Sequence, residues 1–147
     1  MDVAERIHEQ LTKCGIKLAA SLPDDWVAPL IERIAADNHI RHVRVAREAE
    51  AIAICSGAFF GGVRAVALMG ATGLLTCTGE LATLNLRHQI PVFLIARFPS
   101  GFRADHNTCI GLRRPGQKRS CSRSMRQAWA RVRGICGTAS GCRRVSP

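Results

Sequence analysis

No stretch of this 147-residue chain reaches the roughly 18–20 apolar residues that a helical membrane span needs. Its first residues, Met-Asp-Val-Ala-Glu-Arg, carry acids where a secretory leader has a basic and then an apolar segment, so a cytoplasmic protein is expected. No Cys-x-x-Cys pair occurs among the 7 cysteines, and the odd total argues against a disulfide framework. His106 and Cys109 come nearest to a zinc half-site, but Cys121, Cys136 and Cys142 stand at no zinc spacing. No metal site is expected in the chain itself.

Acid is scarce in one region only. The net charge of +10 invites a nucleic-acid reading, yet residues 1–101 hold 10 bases and 10 acids. The excess lies in residues 102–147, where 11 bases face a single acid, Asp105. That stretch has only Phe102 and Trp129 as aromatics and no base-reading motif, so a nucleic-acid-binding protein is the weaker alternative. The other proportions, 47% hydrophobic and 22% charged, are those of a globular protein large enough for one core.

What is present is an alternation of two periodicities. Val3, Ile7, Leu11 and Cys14 recur at helical spacing and Gly15 offers a stop. Strands are expected at Ile16–Ser21, His42–Val45, Val63–Met69 and Pro91–Ala96. Between them, helices are expected after an Asp24 or Asp25 cap, over Glu48–Phe60, a buried helix, and over Leu74–Leu86. Strands separated by helices of this length predict an α/β fold, a three-layer parallel sheet with helices on both faces. Ligands of such sheets sit at the carboxyl ends of the strands, where the loops at 21–25, 45–48 and 69–73 fall.

Glu48 opens an apolar helix and stands nine residues before Gly57, with Ala51 between. A carboxylate entering such a segment is costly unless something specific meets it. With this go Ala20-Ser-Leu-Pro-Asp-Asp-Trp26, His42-Val-Arg-Val-Ala-Arg47 and Ala82-Thr-Leu-Asn-Leu-Arg-His-Gln-Ile-Pro-Val-Phe-Leu-Ile95. Together, over roughly residues 1–100, these resemble the pyrimidine-binding domain of thiamine diphosphate enzymes, in particular the alpha subunit of sulfopyruvate decarboxylases and the matching part of phosphonopyruvate decarboxylases. The resemblance implies a carboxy-lyase subunit acting on such 2-oxo acids, with thiamine diphosphate as cofactor. It implies that Glu48 hydrogen-bonds the pyrimidine ring and favours the tautomer that removes the proton from thiamine's reactive carbon. It places Asp24 on the substrate side and Thr72 and Gly73 at the pyrimidine. The blander readings are a dipole-complementing Glu48, or one paired with Arg44 or Arg47, and an Asp24 that only caps a helix.

Two departures qualify the resemblance. The related subunits usually carry Gln-Asn-Ser-Gly where this chain has Gly70-Ala-Thr-Gly73, which unsettles substrate identity and activity. The Gly-Asp-Gly turn and following asparagine that would hold Mg²⁺ and the diphosphate occur nowhere in the chain. A beta, diphosphate-binding partner subunit is therefore expected to supply them. The domain is expected to occupy residues 1–101 and residues 102–147 to form an irregular basic tail without strands, in which Ser124–Arg133 has the spacing of a short amphipathic helix. The tail's arginine, cysteine, serine and glycine also have the composition of a GC-rich gene read out of frame. On that account the chain is a truncated, non-catalytic remnant.

Overall fold

A computed structural model describes residues 2–25, 27–97 and 108–111. The expectations placed on the rest of residues 98–147, the amphipathic stretch included, lie outside the described residues.

The chain begins with α1 (Val3–Lys13), whose Ala4, Ile7 and Leu11 form the buried stripe. The helix stops at Gly15, which takes a positive φ of 71° and turns the chain into β1 (Leu18–Ser21). Next come α2 (Ala28–Ala36), β2 (Arg41–Arg44), α3 (Glu48–Phe60), β3 (Ala65–Gly70), α4 (Ala71–Thr76) and the single turn α5 (Thr78–Glu80). A π-helical segment, Leu81–Arg87, leads to β4 (Phe93–Arg97), and β5 (Thr108–Gly111) completes the order. The strands form one sheet in the order β2-β1-β3-β4-β5. The first four run parallel, whereas β5 pairs antiparallel with β4, Phe93 opposite Gly111.

Alternation along the central strands separates two apolar layers. Ala19, Val66, Leu68, Phe93 and Ile95 pack with α1 and α2; Ala20, Ala67, Met69, Leu94 and Ala96 pack with α3 and α4. Strands buried on both faces explain why β3 and β4 read as continuous apolar runs. The three-layer architecture is thus the expected one. Among the described residues no helix is long and apolar enough to cross a membrane.

Four local expectations need correction. Neither Asp24 nor Asp25 caps α2: the helix starts after Val27, with Pro29 in its first turn, and Val27 N–H reaches the Asp24 carbonyl instead. The helix expected over Leu74–Leu86 starts earlier and is broken. Thr76 Oγ1 and Cys77 Sγ both donate to the Gly73 carbonyl, at 2.7 and 3.2 Å, and Cys77 N–H goes to Leu74, which ends α4. The helix α3 is not buried throughout, since Ala53, Gly57 and Phe60 are exposed along one side. Finally, a strand does occur after residue 101. At four residues, Thr108–Gly111 is too short to carry a periodicity, and pairing with β4 creates it.

Candidate functional site

Three loops meet at the carboxyl edge of the sheet. The β1–α2 loop carries Asp24, the β2–α3 loop delivers Glu48 as the first residue of α3, and β3 ends at Gly70, the N-cap of α4. Arg47 caps α3 in extended conformation without a side-chain bond, and Glu48 and Glu50 occupy the first turn, where the helix dipole favours anions. Glu50 bonds back to the Ala46 N–H at 3.0 Å. Glu48 instead turns inward and is half-buried.

Two glycines make room for the two acids. The three atoms nearest to a Cβ built on Gly73 all belong to Glu48, with its Cγ at 2.5 Å and Cδ at 2.6 Å. The three nearest to one built on Gly70 all belong to Asp24, with Cγ at 3.3 Å and Oδ1 at 3.9 Å. Glu48 and Asp24 therefore bracket the first turn of α4, brought together from positions 24 residues apart in the chain. Gly73 is buried there, Thr72 is exposed beside it, and Asp24 is half-buried. The four predicted site residues thus share one place. Glu48 forms no ion pair with Arg44 or Arg47 among the described residues.

Apolar side chains and further charges surround the site. Cys77 lies under the site with its thiol pushed above its ordinary pKa, mainly by burial, with the nearby Glu48 and Glu80 charges adding to it. Behind the loops, Ser21 Oγ and His42 Nε2 share a 2.7 Å hydrogen bond that ties β1 to β2. Burial, and then the Arg44 charge, lower the His42 pKa below 6.5. Sequence reasoning missed this pair, because only the parallel β1–β2 register brings the two side chains to one face; alternation along each strand was the available signal. Asn85 was missed as well. It is buried in the π-helical segment and donates to Ser56 Oγ and the Ile90 carbonyl at 3.1 and 3.0 Å, fastening that segment to α3. Among the described residues no cluster of His, Cys, Asp or Glu has the makings of a metal site.

A mainly parallel α/β sheet whose third helix opens on an inward-turned glutamate, with no metal-holding cluster among the described residues, defines the class of fold and site. Residues 1–107 match the thiamine pyrophosphate enzyme, N-terminal TPP binding domain, and the chain belongs to that family. It is similar to the alpha subunit of sulfopyruvate decarboxylase from Methanothermobacter thermautotrophicus, 32% identical over 95 residues that cover 65% of this chain and 58% of that protein. The corresponding subunit from Methanococcus maripaludis is 27% identical, with 65% and 57% covered. Phosphonopyruvate decarboxylase from Streptomyces viridochromogenes is 34% identical over 58% of this chain and 21% of that protein. The chain thus spans little more than half of the alpha subunits it matches. A solved structure of a putative thiamin diphosphate-dependent enzyme from Mycobacterium smegmatis shares the fold, with a TM-score of 0.56 at 21% identity, covering 65% of this chain and 18% of that one.

Proposed function

We propose that the chain is the pyrimidine-binding, alpha subunit of a thiamine diphosphate-dependent decarboxylase acting on sulfopyruvate, phosphonopyruvate or a similar anionic 2-oxo acid. The observation that carries this is the Glu48 carboxylate, turned inward at the mouth of α3 and seated on Gly73. A carboxylate there is placed to hydrogen-bond a ring nitrogen and hold or move a proton at that atom. When bound, the cofactor supplies a carbon nucleophile and an electron sink for decarboxylation. Glu48 binds and polarises the pyrimidine, Gly73 and Thr72 line it, and Asp24 handles a proton on the substrate side. Arg44, Arg47 or the partner supplies the cation for the substrate's anionic group; both arginines are exposed next to Glu48 in the chain.

The other half of the cofactor needs oxygen ligands for Mg²⁺ and the diphosphate, which the reading assigns to a beta subunit. Three features support that assembly: relatives named as alpha subunits, a sequence with no Gly-Asp-Gly turn, and the exposed apolar side of α3. The reading keeps the domain at residues 1–101, adds the strand Thr108–Gly111 that pairs with β4, and leaves the rest of residues 102–147 as an appended basic tail. Cys55 and Cys77, buried as free thiols, suit a reducing, cytoplasmic setting.

The test is decarboxylation of sulfopyruvate and phosphonopyruvate by the chain co-expressed with a diphosphate-binding beta subunit. Glu48→Gln should lower kcat by about 10²–10⁴-fold while leaving assembly intact. A folded, assembled pair that turns over neither acid would instead establish a non-catalytic remnant.

A further inference from the structure

Glycine at the end of β3 is not required by its own backbone. Gly70 has φ −72° and ψ 162°, an extended conformation open to any residue. Its surroundings are specific nonetheless, for all three heavy atoms nearest to an added Cβ belong to the Asp24 side chain. Gly57 and Gly79, by contrast, have nothing within 4 Å of that position. Asp24 arrives from the β1–α2 loop, and Val27 rather than Asp24 is the N-cap of α2.

We infer that Gly70 is the positioning residue for Asp24: by lacking a side chain it lets the carboxylate settle on the end of β3, beside the turn that seats Glu48. A methyl group at 70 drives that carboxylate away from the strand end. Because an aspartate side chain rotates at little cost, the displacement costs position more than folding. The consequence for catalysis rests on the decarboxylase reading of Asp24; the steric pairing does not.

Two arms of one experiment separate these. In the purified full chain, carbon-13 carboxyl spectra of Gly70→Ala should show a moved Asp24 resonance and an unmoved Glu48 resonance, with the reverse in Gly73→Ala. The Tm lost in Gly70→Ala should be largely absent when Asp24→Ala is already present. An Asp24 resonance that stays in place, or an equal Tm loss in both backgrounds, overturns the proposal. In the assembled pair, Gly70→Ala and Asp24→Ala should change kcat and KM alike, and the double variant should be no worse than Asp24→Ala. Multiplicative losses overturn it. If the decarboxylase reading itself is wrong, the wild-type pair is inactive while the spectra still report on Gly70 and Asp24.

Discussion

Asp37 ties a pH response of this protein to named contacts. Its Oδ1 accepts from the His39 backbone N–H at 2.7 Å and its Oδ2 lies 2.8 Å from His8 Nε2, joining α1 to the turn after α2. The His39 backbone bond is the main cause that holds its pKa at about 2, with side-chain bonds from His39 and His8 adding and burial opposing. Since the folded value lies below the ordinary 3.8, this stabilisation is present above 3.8 and is lost as pH falls towards about 2. His42 acts earlier in acid. Its folded pKa lies below 6.5, so the unfolded chain takes up the proton first and stability declines as pH drops under 6.5. Urea midpoints measured across this range should show both limbs, the lower one flattened in Asp37→Asn and the upper one in a folded His42→Gln variant. Thiols give a second check at this scale. Burial drives the Cys55 pKa up to about 12 against the pull of the Ala20 backbone, so peptide mapping should find Cys55 labelled by a thiol reagent only after unfolding.

At the scale of the element, α3 is the informative case. Residues 51–63 contain no charged side chain, which made the helix look buried. The folded chain covers one side, with Ala51, Ile52, Cys55 and Ser56, and leaves Phe60 76% exposed on the other. Periodicity cannot separate a helix buried by its own chain from one with an apolar side left over. Gly57, on the open side, gains nothing from lacking a side chain within this chain. Gly57→Ala should therefore raise stability by about 0.5–1 kcal/mol in the isolated chain, read from chemical denaturation. Asn85 is the opposite case, since truncation leaves the Ile90 carbonyl and Ser56 hydroxyl without their buried donor. Asn85→Ala should cost about 1–3 kcal/mol and loosen the π-helical segment, visible as faster amide exchange there.

On the decarboxylase reading, the molecule as a whole supplies half of a site. Its carboxyl edge offers one half-buried glutamate suited to a ring nitrogen, and its described residues include no cluster to hold a divalent cation. Calorimetry should accordingly find thiamine diphosphate and Mg²⁺ binding weakly to the chain alone and at least tenfold more tightly to the assembled pair, as expected if roughly 1.4 kcal/mol or more of contact comes from the partner. Tight binding by the solitary chain would remove the case for a split site.

Local sequence was enough for much of this. Apolar spacing marked α1, and an uncharged run opened by Glu48 gave both ends of α3, because these signals depend only on neighbours in the chain. The βα alternation likewise implied a parallel sheet. Tertiary structure decided the rest. That Asp24 lies over Gly70 instead of capping α2, that Glu48 rests on Gly73, and that Ser21 meets His42 all depend on strand order and register. Those arise from burying two faces of one sheet at once, and no window of neighbouring residues contains that condition.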